Sequence, residues 1–244
     1  MPHLVPVLSA TLDDVARAMP ALRGRVVSGI TAQPELAADL LTHWRLVQPA
    51  AGRLYWAARS WSMLIWQPAY LSVFAVYCSR VAVPLSGLWQ DVSQGSTAGF
   101  AIAATTLTDS EADAVKQPDG LIAAAAHYLL DYQQEHLPRL QAIEPYSTYQ
   151  AACMSVDCLL SALQIVAARL NWNAETVLLQ ADVWLDALQL QRHGRLMRIE
   201  TVSGSCTALD RKGCCQHFRI PGETACASCP RRPMSERLLL LSSE

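Results

Sequence analysis

Apolar residues recur at helical spacing along much of this chain. Leu36, Leu40, Leu41, Trp44 and Val47 share one face and Pro34 stands just before them, so the pattern predicts a helix from Glu35 to Val47. Arg53 to Tyr77 reads as a longer apolar helix, bent at Pro68. The first thirty residues give weak, mixed signals. From Val81 to Ala103 the character changes: Pro84, Gly87, Gly95 and Gly99 punctuate short apolar runs, which predicts a β-hairpin turning at Gln94-Gly95-Ser96. Helical patterning returns at Leu121 and runs to Ile143. Glu144-Pro145 breaks it and is expected to start a second helix reaching about Leu170. Asn173 is a predicted N-cap for a third, Ala174 to Leu190, ended by Gly194. Leu196 to Val202 reads as a short strand.

These elements predict an α+β protein, predominantly α-helical, with a small antiparallel β element and an irregular C-terminal segment. The polar stretch 108–120, with Pro118 and Gly120, is the best candidate boundary. The expected division is an N-terminal lobe over 1–112, a helical lobe over 113–200, and a C-terminal segment over 201–244.

The run from Ser60 to Ser79 has no Asp, Glu, Lys or Arg and is long enough to span a bilayer. Gln67, Pro68 and four serines interrupt it, and no second such run stands out, so a buried central helix is the expectation. Membrane contact is then at most peripheral. The N-terminus has no basic stretch followed by an apolar core, so no signal peptide is read. The net charge of −2 gives no support for nucleic-acid binding. That charge is unevenly spread: residues 191–244 hold nine Lys/Arg against five Asp/Glu, while the rest hold ten against sixteen. A basic end sits on an acidic body.

Eight cysteines without a readable export signal point to reduced thiols and metal ligation. Cys214, Cys215, Cys226 and Cys229 form the pattern C-C-x10-C-x2-C. Neighbouring cysteines diverge, so they chelate one small zinc ion awkwardly. A two-iron cluster can be met from two sides, and the spacing tilts from zinc toward [2Fe–2S] without settling it. Cys206 is expected to be no ligand. Cys78, Cys153 and Cys158 read as buried core residues. His217 could tune a cluster or lie idle on the surface, and His193 could join a basic patch with Arg192, Arg195 and Arg198. His127, Asp131 and Glu135 share a helix face that reads as solvated. No GxGxxG, P-loop, flavin motif or nucleophile elbow is evident.

The stretch from Gly213 to Gly222 (GCCQHFRIPG), followed by Cys226-Ala227-Ser228-Cys229-Pro230, resembles the C-terminal signature of the FhuF-type ferric siderophore reductases. The resemblance covers about a tenth of the chain. It implies a [2Fe–2S] cluster on Cys214, Cys215, Cys226 and Cys229. It also implies one-electron reduction of a ferric siderophore in the cytoplasm, or at the inner face of the membrane, with release of ferrous iron. An electron donor is implied too: a ferredoxin, a flavodoxin or a flavin reductase. Arg219, Arg231 and Arg232 are the candidate contacts for an anionic chelate. A neutral one would lean on tryptophans such as Trp61 and Trp66. Two alternatives stand beside this. One is a non-enzymatic zinc or iron–sulfur module. The other is a siderophore-biosynthesis enzyme, though those chains are longer and lack the cysteine motif.

Overall fold

The computed structural model describes residues 4–29, 35–104, 120–201 and 204–242. Pro34 and most of the expected boundary at 108–120 lie outside them. Helix α1 (Leu4–Ala18) forms where the sequence signal was mixed: Leu8, Leu12 and Val15 line one face and are fully buried or nearly so. Pro6 falls in the first helical turn, where a proline removes no hydrogen bond. Next come α2 (Leu36–Val47) and α3 (Arg53–Phe74), which continues into a π-helical turn, Ala75–Ser79.

Helix α3 is the axis of the molecule. It packs against α2, α4 (Leu121–Ile143) and α5 (Thr148–Arg169), so it is enclosed on several sides and needs no polar face. The buried-helix expectation for residues 60–79 holds for most of the run. Trp61 is fully buried and donates its indole N–H to the Ala151 carbonyl at 2.9 Å, so it cannot meet a substrate. Pro68 leaves the Leu64 carbonyl without its usual partner. The Tyr132 hydroxyl of α4 lies 3.3 Å from that carbonyl and 2.9 Å from Gln90 Oε1, and its one proton can serve either. The helix thus passes through Pro68 without a break.

The described helix long and apolar enough to cross a membrane by length and composition is α5, although 67% of its apolar window is buried inside the protein. It is a second long apolar run, where the sequence pattern led to the expectation of none. Its start also differs from expectation. Pro145 lies outside it, and Ser147 caps it by accepting from the Gln150 amide. Glu144 instead bridges elements: it takes Arg45 of α2 at 2.6 Å and Arg53 of α3 at 2.5 Å. Burial acts to raise the Glu144 pKa, but the two arginines outweigh it and hold the carboxyl below its ordinary range. Asn173 caps α6 (Ala174–Leu188) as expected, accepting from Thr176 at 2.8 Å. That helix ends at Gln189 in a left-handed conformation, and Gly194 opens the next strand.

Two small sheets complete the fold. Strands β2 (Leu88–Ser93) and β3 (Ser96–Ala103) form the expected hairpin, with Gln94 and Gly95 both at positive φ. The sheet is mixed rather than purely antiparallel, because β1 (Gly24–Val27) joins β3 in parallel. The strand expected from Leu196 is half of a second hairpin, β4 (Gly194–Thr201) with β5 (Gly204–Arg211). This hairpin packs on α5 and delivers the chain into the cysteine segment. The C-terminal helix α7 (Met234–Ser242) returns from that segment to β4. The molecule is a predominantly helical α+β protein.

Candidate metal centre

Helix α5 is the floor beneath the cysteines. Gln150, Cys153, Met154 and Asp157 fall at helical spacing on one face. Gln150 Nε2 donates to the Cys214 carbonyl at 2.8 Å. A Cβ placed on Gly213 would lie 2.5 Å from the Cys153 Cβ and 3.0 Å from Gln150 Nε2, so only glycine lets the vicinal pair lie this close to the helix. Gly213→Ala is expected to push Cys214 and Cys215 off α5 and cut cofactor content several-fold while the helical fold persists. Metal analysis beside a far-ultraviolet circular dichroism spectrum checks this.

The four motif cysteines come together as two pairs. The Cys214 and Cys229 sulfurs are 3.8 Å apart and buried. Cys215, half-buried, and Cys226, exposed, share a hydrogen bond. Each pair takes one member from the vicinal cysteines and one from the C-x2-C, which uses the divergence of neighbouring side chains. Two thiolates on one tetrahedral metal, with bonds of about 2.3 Å, stand about 3.8 Å apart. Among the described residues no three His, Cys, Asp or Glu side chains converge to hold a single ion. Two separate thiol pairs suit two bridged irons better than one zinc, so the donor set fits a [2Fe–2S] cluster.

Backbone and cationic donors already surround the sulfurs. The Gln216 amide points at Cys214 Sγ (3.4 Å), helped by Gln216 in a left-handed conformation. Cys215 is held well below the ordinary thiol range by the hydrogen bond from Cys226, against the cost of burial, with help from the His217 amide and Arg211. Burial pushes Cys214 the other way. Arg211 Nη1 reaches Cys226 Sγ at 3.7 Å, and its Nε binds Asp157 Oδ2 at 2.6 Å. Burial raises the Asp157 pKa to about 6 despite the pull of Arg211, which still leaves the carboxylate ionised at neutral pH.

A buried ion cluster closes the base of the segment. Asp210 at the end of β5 is fully buried and meets Arg195 (3.0 Å), Lys212 (3.1 Å) and Arg237 of α7 (3.1 Å). Arg237 is itself buried, the one buried residue of that helix. Strand β5 leads into the cysteines, and α7 follows them. The Asp210–Arg237 bond therefore staples the two ends of the loop.

The remaining candidates separate clearly. Arg231 lies over the Phe218 ring at 4.6 Å and Arg219 beside it at 5.8 Å, both exposed. Arg232 instead binds the carbonyls of Ala225 and Cys226 and pairs with Glu236, which braces the cysteine loop. His217 faces Glu223 at 3.4 Å and the Tyr55 ring at 6.4 Å. Cys206 is exposed on β5 opposite Ile199, five residues before Arg211, so about 16 Å of strand separates those two residues. Arg195 and Arg198 are engaged within the β4–β5 hairpin, through Asp210 and Ser205, and His193 packs on Tyr149. His127 and Asp131 pair on an exposed face, as read. Cys78 is exposed rather than buried, while Cys153 is buried and Cys158 partly so. Trp66 lies about 1.4 turns of α3 from Trp61 and bonds Thr97 on the β2–β3 side.

The parts played by Arg211, Asp157, Gly213, Asp210 and Arg237 were not legible in the sequence. Only Asp157 carried a signal there: it is the lone charge in a long apolar helix ahead of the terminal Arg169.

No solved structure matches the chain. Residues 211–231 match the model of the FhuF 2Fe-2S C-terminal domain, a span that holds all four cysteines. The chain thus carries a FhuF-type 2Fe-2S C-terminal domain over these residues, and its cofactor is a [2Fe–2S] cluster.

Proposed function

We propose that the protein reduces ferric siderophores by one electron and so releases ferrous iron inside the cell. The observation that carries this reading is the pairing of four thiols at the end of a basic segment, Cys214 with Cys229 and Cys215 with Cys226. These residues would hold the [2Fe–2S] cluster, which when bound supplies electrons one at a time. Ferric iron is hard and binds siderophore oxygens tightly, whereas ferrous iron binds them far more weakly. No nucleophile or general base is needed.

The chain's own tasks are to hold the thiols, exclude water from one side and present the other. Cys226 is on the exposed side, close to Arg211. Arg219 and Arg231 flank Phe218 and offer planar, permanently charged donors beside an aromatic face. An anionic, oxygen-rich chelate suits that platform. Arg232 supports the loop that carries Cys226 and is assigned a bracing role. A one-electron donor of the ferredoxin, flavodoxin or flavin reductase kind is required, and the reading places the protein in the cytoplasm.

Protein purified without air is expected to be red-brown and, once reduced, to convert ferric chelates to ferrous iron captured by a colorimetric trap. Arg219→Gln and Arg231→Gln together should raise KM for an anionic ferric chelate about tenfold, with the visible spectrum unchanged. A colourless zinc protein would overturn the reading in favour of a structural module. A red-brown protein inert toward every ferric chelate in a broad panel would leave a cluster protein with a different task.

A further inference from the structure

We propose that Arg211 and Asp157 act as opposed charges that set the reduction potential of the cluster from beneath its Cys215–Cys226 side. The inference rests on the cluster assignment above and concerns two residues outside the four-cysteine set.

A charged residue in the middle of an apolar helix requires explanation, since an unpaired buried carboxylate is costly. Asp157 sits among Val156, Leu159 and Leu160 in α5 and is 5% exposed. Its Oδ2 binds Arg211 Nε at 2.6 Å, while its Oδ1 has no hydrogen-bond partner. A replacement of the pair by apolar residues would fill the same space without that cost. What the pair adds is direction. With Nε held by Asp157, the guanidinium turns Nη1 to Cys226 Sγ (3.7 Å) and Nη2 to Met154 Sδ (3.6 Å). The pair is thus a fixed dipole, positive end on a motif sulfur, with side chains only 12% and 8% exposed. Little solvent intervenes to screen it.

Reduction adds one electron, and so one negative charge, to a centre whose ligands are thiolates. A nearby cation favours that state and a nearby anion opposes it. Arg211, which touches the sulfur, raises the potential. Asp157, on the far side of the guanidinium, moderates the rise. The two residues therefore act with opposite sign, which no purely structural role would produce.

The test is an anaerobic titration of holoprotein with dithionite and redox mediators at one fixed pH, followed by visible absorption and electron paramagnetic resonance. Arg211→Gln should lower the reduced-to-oxidised ratio at a fixed potential about tenfold, which for one electron is 59 mV. Asp157→Asn keeps a hydrogen-bond acceptor for Nε but removes the charge, and should raise that ratio. Arg211→Lys keeps the charge and should lie between Arg211→Gln and the native protein. Shifts of the same sign in both neutral variants, or no shift with the cluster intact, overturn the proposal. Should Arg211→Gln fail to load a cluster, Asp157→Asn decides alone: a rise supports the proposal and its absence overturns it. Loss of the cluster from both shows the pair to be structural and overturns it as well. A native protein without a [2Fe–2S] spectrum would instead sink the cluster assignment beneath it.

Discussion

Asp210→Ala is expected to free α7 and open the cysteine loop, at a cost of about 3–5 kcal/mol for leaving a buried cation unpaired. Asp210 and Arg237 are both buried, and Arg237 Nε already lacks a partner, so the variant removes the carboxylate that Arg237 touches among the described residues. Hydrogen exchange should quicken by two orders of magnitude or more in α7, and iron content should fall with it. Arg237→Met, which removes the cation and fills the space, should cost less. The same site sets an acid limit. Burial acts to raise the Asp210 pKa, but Lys212, Arg195 and Arg237 together hold it below its ordinary value. The stabilisation is then complete above the ordinary carboxylate pKa, about 4, and is lost only as pH falls through the lower folded value. The protection factors of the α7 amides, which remove the intrinsic pH dependence of exchange, should therefore stay flat from neutral pH down to about pH 5 in the native protein.

Serine at Cys214 or Cys229 should abolish cluster binding outright, and serine at Cys226 should leave an altered cluster at reduced content. The difference follows from burial. Cys214 and Cys229 are enclosed, where a missing thiolate cannot be replaced by water. Cys226 is exposed, where a serine oxygen or water can take a ligand position. Iron and sulfide analysis, with visible spectra recorded under nitrogen, distinguishes the two. Native protein should carry about two irons per chain. Cys206→Ser should behave as native, and bleaching in that variant would show the ligand set to be wrong.

Much of the site was legible in the sequence because ligand chemistry restricts both residue type and spacing. Cys214, Cys215, Cys226 and Cys229 can be read without a structure. Helices were legible where one face is wet, as in α2, and where a cap is chemically distinctive, as at Asn173. Helix α5 escaped notice as an apolar span because it is buried on several sides and shows no periodic contrast. The parallel strand β1 is only four residues, Gly-Arg-Val-Val, and its partner β3 lies more than seventy residues on, so local patterning could not find it. The ion pairs were hidden for a related reason. Asp210 meets Arg237, and Asp157 meets Arg211, only because the β4–β5 register and the return of α7 bring them together. Nothing in the local sequence of Arg211 separates it from the other basic residues of the tail.

The neighbours Gln150 and Ala151 serve different parts of the molecule. Gln150 binds the cysteine segment, and Ala151 accepts the indole proton of Trp61 from the core. An α-helix turns about 100° with each residue. A one-residue insertion between Ala151 and Cys153 would put Cys153 in the place of Met154, turn Met154 and Asp157 off the cysteine face, and set the buried Val156 where Asp157 stands. This stretch of α5 is consequently closed to length variation: its residues are open to exchange by substitution, but its frame is not.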